Sequence, residues 1–208
     1  MLQKNDDLSG GGPLRVLLAS YRSHPFVGGQ GIYVRYLAKA LLDLGHQVDV
    51  VSGPPYPMLD PRAGLIKLPS LDLFAEDNAL SALRWKHWRT WADLSEWLSH
   101  NSGAFGEPYA FGRRLRRYVD ANAGRYDVLH DNQTLAQSLL KIQTRLPVVA
   151  TLHHPISIDL RLALASEQRW WMRSLIKRWH KFVDMQAKTA RQLPVILTVS
   201  EASKQAAL

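Results

Sequence analysis

A glycine-rich turn between an apolar run and an amphipathic segment restricts this chain more than any other feature. Leu14-Arg15-Val16-Leu17-Leu18-Ala19-Ser20 reads as a buried strand, and Gly28-Gly29-Gln30-Gly31 follows it. Beyond the glycines, Ile32, Tyr36, Leu37, Ala40 and Leu41 recur on one helical face. Glycine permits positive φ and close approach of a ligand to the backbone, because no Cβ intervenes. The helix start directs unpaired N–H groups and partial positive charge at that place. A phosphate or another anion suits it. The same glycines would also serve a purely steric turn.

The rest of the chain repeats the alternation. Leu44-Gly45-His46 closes the first helix, and Gln47-Val48-Asp49-Val50-Val51-Ser52 reads as a second strand. Strand, helix and strand make a βαβ unit, with parallel pairing and a right-handed crossover. Gly53-Pro54-Pro55-Tyr56-Pro57 ends that strand, and Leu65-Ile66-Lys67-Leu68-Pro69 reads as a short third one. The rhythm breaks from Leu80 to Tyr118. Trp85, Trp88, Trp91 and Trp97 occur here, followed by Arg113-Arg114-Leu115-Arg116-Arg117. Trp85, Trp88 and Ala92 share one helical face, and Phe111, Leu115, Tyr118 and Val119 another. The spacing predicts two helices interrupted near Asn101-Ser102-Gly103, a helical insertion around residues 76–122.

Alternation then returns. Tyr126-Asp127-Val128-Leu129-His130 is the next predicted strand, with Asp131-Asn132-Gln133-Thr134 as the N-cap region of a helix over 135–144. Pro147-Val148-Val149-Ala150-Thr151-Leu152 is apolar on both faces, as a central parallel strand is. It ends in His153-His154-Pro155. One long helical stretch is predicted from Leu160 to Arg191, its apolar stripe formed by Met172, Leu175, Ile176, Trp179, Phe182 and Val183. Pro194 to Val199 is the last strand, and Ser200 caps a helix from Glu201. The predicted fold is α/β: a doubly wound, mostly parallel sheet of six or seven strands with helices on both faces. Residues 1–13, polar and Gly-rich, read as a flexible tail, and 14–208 as the folded domain.

Composition narrows the function classes. A 46% hydrophobic content in 208 residues supports a sizeable core and argues against global disorder. The chain has no cysteine, which excludes disulfides, thiolate metal sites and cysteine catalysis and fits the cytosol. A formal charge of +8 favours anionic partners. No apolar run approaches the roughly 20 residues of a membrane-spanning helix.

Four motifs, in this order and spacing, resemble the N-terminal Rossmann-like domain of GT-B glycosyltransferases, in particular the retaining enzymes of family 4. They are Gly28-Gly29-Gln30-Gly31 with the helix ending at Leu44-Gly45-His46; Tyr126-Asp127-Val128-Leu129-His130; Val149-Ala150-Thr151-Leu152-His153; and Val195-Ile196-Leu197-Thr198-Val199-Ser200-Glu201-Ala202-Ser203-Lys204. The resemblance implies sugar transfer from a nucleotide-diphosphate sugar to an acceptor, lipid-linked, saccharide or small molecule, with retained configuration and without a metal ion or resident cofactor. The family's second domain carries a basic Arg/Lys pair and a Glu-x7-Glu segment, and nothing here matches them. The expectation is therefore an acceptor-side half without its C-terminal donor-binding domain, inactive alone.

The resemblance also distributes roles. Gly28, Gly29, Gln30 and Gly31 would meet the donor diphosphate. His153 would contact the donor sugar or reacting centre, as the catalytic-site histidine. Asn132 and Gln133 are candidate sugar or acceptor contacts and equally candidate helix caps, with His154 beside them. A zinc site from His130, His153 and His154 lacks a third ligand at local spacing, so no metal is expected. All seven tryptophans lie at 85–97 and 170–179, interleaved with Arg and Lys. Trp85, Trp88, Arg113, Arg114, Arg116, Arg117, Arg173 and Lys177 could form an acceptor surface or dock on an anionic membrane; a core stripe with basic flanks is the plainer alternative. The expected location is cytoplasmic, extending to peripheral attachment on the inner face of the membrane.

Two other readings stay open. A dehydrogenase-type Rossmann protein fits less well, because Gly28-Gly29-Gln30-Gly31 is not G-x-G-x-x-G and Ser52 stands where a ribose-binding acid is usual. A non-catalytic basic membrane- or nucleotide-binding module is the other. Nucleic acid is not an expected partner, since neither aromatic RNA motifs nor helix-turn-helix spacing occur.

Overall fold

The computed structural model describes residues 12–27, 29–70, 97–99 and 101–207. The strands are β1 (Arg15–Ser20), β2 (Gln47–Ser52), β3 (Gly64–Lys67), β4 (Val128–Asn132), β5 (Val148–Leu152) and β6 (Val195–Thr198). They form one sheet in the order β3-β2-β1-β4-β5-β6, parallel throughout. The order reverses between β1 and β4, and ligand crevices of open α/β sheets lie at such a switch point, outside the carboxyl ends of the strands.

The period-two alternation of β1 explains the two layers. Val16 and Leu18 face α1 (Gly29–Asp43), packing with Val34, Ala38, Val48 and Val50. Leu17 and Ala19 face the other way, into a larger core with Phe111, Leu115, Val119, Leu129, Leu139, Ile142, Val148 and Ala150. Leu17, Leu115 and Leu129 are fully buried; truncation of any one to alanine costs about 2–5 kcal/mol. Gly45 ends α1 at φ 88°, with His46 N–H donating to Leu41 O and Gly45 N–H to Leu42 O, the glycine C-cap that the sequence predicts.

Phe111, Leu115 and Val119 belong to α2 (Glu107–Asn122). This part of the predicted insertion is an integral layer helix, the crossover between β3 and β4. Gly112 lets it approach the 136–138 segment, because a Cβ there would lie 2.5 Å from Ala136 Cβ. Trp85, Trp88, Trp91 and the helix predicted on them lie outside the described residues.

Three local expectations are corrected. The strand predicted at 126–130 runs instead over Val128–Asn132, because Asp127 is spent on register. Its carboxylate accepts from Arg15 N (2.8 Å), Nε (3.1 Å) and Nη2 (2.7 Å), and Arg15 holds it at about 2. The segment 131–134 is no N-cap: Gln133 and Leu135 take positive φ (57° and 46°), and only the short α3 (Leu139–Ile142) forms. Here Asp131 Oδ2 accepts the N–H of Leu135 (2.8 Å) within a buried loop, so long-range burial overrides helical periodicity. The long helix divides into α4 (Ile156–Ser166), α5 (Trp170–Trp179) and α6 (Lys181–Ala190). Arg173 Nη1 donates to the carbonyls of Leu164 and Glu167, satisfying the end of α4. The chain closes with α7 (Glu201–Ala207), whose N-cap Ser200 Oγ accepts from Ser203 N (3.1 Å).

Candidate functional site

Parallel β1, β4 and β5 bring three loop starts to one carboxyl edge. Asn132 ends β4, His153 directly follows β5, and the first turns of α1 follow β1. Asn132 Oδ1 lies 2.6 Å from His153 Nε2. The Asn132 amide nitrogen donates to Ser20 Oγ (3.2 Å) and to Gln30 O (3.3 Å). Tyr33, on α1, meets the His153 ring edge to face at 4.5 Å between centroids. His153 and the glycine turn thus converge at one end of the sheet.

A second, more deeply buried layer supports the first. His130 Nε2 lies 2.7 Å from Thr151 Oγ1, and Tyr33 OH lies 3.4 Å from the same hydroxyl. Burial and the neighbouring His153 hold His130 at about 4. Burial also lowers His153 below the ordinary histidine range. Both rings are therefore neutral near neutral pH. Asp131, on the opposite face of β4, is fully buried; burial pushes it up to about 6 against the opposing N–H of Leu135.

The backbone at His153 is fixed as firmly as its ring. Gln133 Oε1 accepts from His153 N (2.6 Å) and His154 N (3.2 Å), and Gln133 Nε2 donates to His154 O (2.7 Å). Ser203 Oγ of α7 donates to His153 O (3.2 Å). Gln186 Nε2 of α6 donates to the carbonyls of Gln133 (3.3 Å) and Thr134 (3.2 Å). Asn132 and Gln133 are only 2% and 3% exposed. Their polar atoms are engaged within the protein, a positioning geometry where acceptor contacts were expected.

The predicted site residues separate into groups. His153, Asn132, Gln133 and Gln30 come together. His154 points elsewhere, with Nε2 3.1 Å from both carboxylate oxygens of Asp159 on α4. Gly31 is sterically required, because a Cβ there would lie 2.2 Å from His24 O; Gly29 would meet nothing within 4 Å. Gly28 lies outside the described residues, as do Trp85 and Trp88. Arg113, Arg116 and Arg117 are exposed on α2, and Arg114 is half-buried. Arg173 secures the α4–α5 junction, and Lys177 is exposed on α5, so neither joins the carboxyl-edge cluster. Tyr33, Thr151, Asp159 and Ser203 were not singled out as site residues, and His130, weighed only as a zinc ligand and as the end of its strand motif, is the buried partner of Thr151. Only Ser203 carried a local signal, three residues after a capping serine. Among the described residues no three His, Asp or Glu side chains converge as a metal site, and no helix is long and apolar enough to cross a membrane.

This cluster suits hydrogen bonding to a ligand hydroxyl better than proton abstraction. The His153 ring is paired with an amide, not a carboxylate, and its basicity is depressed. The sequence model of Glycosyltransferase Family 4 matches residues 27–208, nearly the whole described fold. The chain belongs to glycosyltransferase family 4. The chain is similar to the MMP alpha-(1->4)-mannosyltransferase of Mycolicibacterium hassiacum, 47% identical over 192 residues that cover 91% of this chain and 46% of the relative. The chain thus spans about half the length of the curated relative it matches. Solved structures resemble it more loosely. LpCGTa in complex with UDP gives a TM-score of 0.48 at 17% identity, covering 95% of this chain and 49% of that one. UGT89C1 of Arabidopsis thaliana gives 0.44 at 15%, covering 91% and 50%.

Proposed function

We propose that this family 4 chain is the acceptor-side half of a retaining glycosyltransferase that moves a mannosyl residue from a nucleotide-diphosphate sugar to a saccharide acceptor. The mannosyltransferase relative supports the sugar. The observation that carries the mechanism is the Asn132–His153 contact at the carboxyl edge. It holds the neutral ring with Nε2–H directed at the amide, leaving the Nδ1 lone pair to receive a hydroxyl of the donor sugar. The N–H groups opening α1 face the diphosphate. The cationic groups that stabilise the leaving diphosphate come from a second Rossmann-like domain, and the reaction needs no metal ion. The residues of this chain bind and orient, and a bound near-attack geometry contributes up to roughly 7–11 kcal/mol to such a reaction.

The test uses the intact, two-domain protein with nucleotide-diphosphate mannoses, a mannoside acceptor and EDTA. Turnover with retained anomeric configuration, read by proton NMR, is expected. His153→Ala lowers kcat at least about tenfold, or about 1.4 kcal/mol, with an unchanged melting temperature. Inverted product, dependence on a divalent ion, or binding of nucleotide sugar without any turnover would each refute the reading; the last would leave a non-catalytic nucleotide-binding module.

A further inference from the structure

Three serines meet beside the Asn132–His153 pair. Ser20 ends β1 and Ser52 ends β2, and the two are partners in the strand register. Ser23 stands in the loop after β1, its N–H donating to Pro55 O (3.0 Å). All three are fully buried. A hydroxyl taken out of water costs free energy unless it is hydrogen-bonded, and these three are bonded to one another and to backbone. Ser52 Oγ donates to Gly53 O (2.7 Å) and lies 3.3 Å from Ser23 Oγ. Ser23 Oγ donates to Ser20 Oγ (2.8 Å), and Ser20 Oγ donates to Arg22 O (3.1 Å). The backbone closes the same cluster, with Gly53 N–H donating to Ser20 O (3.2 Å).

The direction of these bonds decides what Ser20 can offer to Asn132. A hydroxyl has one proton and two lone pairs. The Ser20 proton goes to Arg22 O and one lone pair receives Ser23, which leaves one lone pair. Asn132 meets it with an N–H, at 3.2 Å. An amide turned over would bring Oδ1 against that lone pair and against Gln30 O, and would present the NH2 group to His153. The neutral imidazole would then have to accept at Nε2 and carry its proton on Nδ1. Gln30 opposes this with a backbone carbonyl. The side chain that opposes it is Ser20.

We propose that Ser20 is a positioning residue of the transferase: its Oγ lone pair, aimed by Ser23 and Arg22 O, holds the Asn132 amide in one orientation and thereby keeps the His153 proton on Nε2. The consequence for sugar transfer rests on the role given to His153 above. The test reads the imidazole tautomer by nitrogen-15 NMR in the intact protein. The parent shows Nε2–H. Ser20→Ala and the shape-keeping Ser20→Cys raise the Nδ1–H form to at least about one molecule in ten, the population left by a preference of about 1.4 kcal/mol. Ser20→Thr, which keeps the hydroxyl, stays with the parent. Ser52→Ala removes an equally buried hydroxyl that does not touch Asn132, and also stays with the parent. If the alanine variant does not fold, the cysteine and threonine variants carry the comparison. Parent-like tautomers in Ser20→Ala or Ser20→Cys overturn the proposal. So does mixing in Ser20→Thr or Ser52→Ala, which would make the effect a general loosening of the strand ends. Transfer kinetics are followed in parallel, and kcat should fall in Ser20→Ala with the donor KM unchanged, the mark of an interaction realised in the transition state. A shifted tautomer with parental kcat defeats only the role assigned to His153, whereas a lowered kcat with a parental tautomer defeats only the positioning by Ser20.

Discussion

Asn132 Oδ1 and His153 Nε2, 2.6 Å apart across the ends of two adjacent parallel strands, fix one tautomer of the histidine. The Asn132 nitrogen is committed as donor to Ser20 Oγ and Gln30 O, so its oxygen is the acceptor and Nε2 carries the proton. Nitrogen-15 NMR of the imidazole is expected to show a protonated Nε2 and an unprotonated Nδ1. Asn132→Leu mixes the tautomers and lowers kcat of the intact enzyme. Asn132→Asp places a negative charge on the ring and raises the His153 pKa, read from ring C–H shifts against pH. An Nδ1–H tautomer in the parent would remove this account of the site.

His130 and Asp131 are adjacent yet titrate with opposite consequences for stability. The His130 pKa is depressed from 6.5 to about 4, so the unfolded chain binds more protons in that window and stability falls as pH drops through it. The Asp131 pKa is raised from 3.8 to about 6, so the folded chain binds more protons and stability falls as pH rises through that window. Denaturant melts of Asp131→Asn, minus the parent, should therefore show a stability gain that grows from pH 4 to 6. For His130→Asn the difference should become more favourable as pH falls from 6.5 to 4. Each effect is at most roughly 3 kcal/mol, from about 1.4 kcal/mol per unit. A pH-independent difference in either variant would place that group in contact with water.

The elements legible in the sequence are those whose signals are local. β2 spans Gln47–Ser52, the predicted segment, and Gly45 stops α1 with the predicted left-handed cap. Burial on both faces marked β5 as central, and it pairs with β4 and β6. What stayed hidden depends on partners far along the chain. Asp127 reads as part of a strand until Arg15, 112 residues away, claims both its oxygens. Gln133 reads as a surface or capping residue until its amide is found on the His153–His154 backbone. The continuous stripe from Met172 to Val183 conceals the break at His180, because α5 and α6 carry the same periodicity on either side of it.

The two described glycines of the turn should behave oppositely. Gly31→Ala forces a methyl to 2.2 Å from the His24 carbonyl, and overpacking of this kind costs typically 1–3 kcal/mol. Gly29→Ala meets nothing within 4 Å and opens a helix, where alanine is favoured by up to about 1 kcal/mol. Thermal denaturation of the pair checks this. Equal destabilisation would mean that both glycines serve the backbone conformation and not close packing.

Gln133 combines a left-handed backbone with a side-chain clamp, and the two roles can be separated by substitution. Its φ of 57° is costly for a residue with a side chain, by about 1–2 kcal/mol. The clamp compensates by satisfying the N–H groups of His153 and His154 and the His154 carbonyl together. Gln133→Ala keeps the strained backbone and loses the clamp. Gln133→Gly also loses the clamp but relieves the strain. Gln133→Glu keeps an acceptor for the two N–H groups while turning a carboxylate oxygen toward the His154 carbonyl. Amide hydrogen exchange at His153 should accelerate at least about tenfold in the alanine and glycine variants, equivalent to about 1.4 kcal/mol of lost local protection. The glycine variant should recover global stability relative to alanine without recovering that protection. The glutamate variant should keep part of the His153 protection and lose that of the next loop residues. Unchanged exchange in Gln133→Ala would show that Ser203 and the Asn132–His153 pair hold the loop without the glutamine, and would move the control of the histidine from β4 to α7.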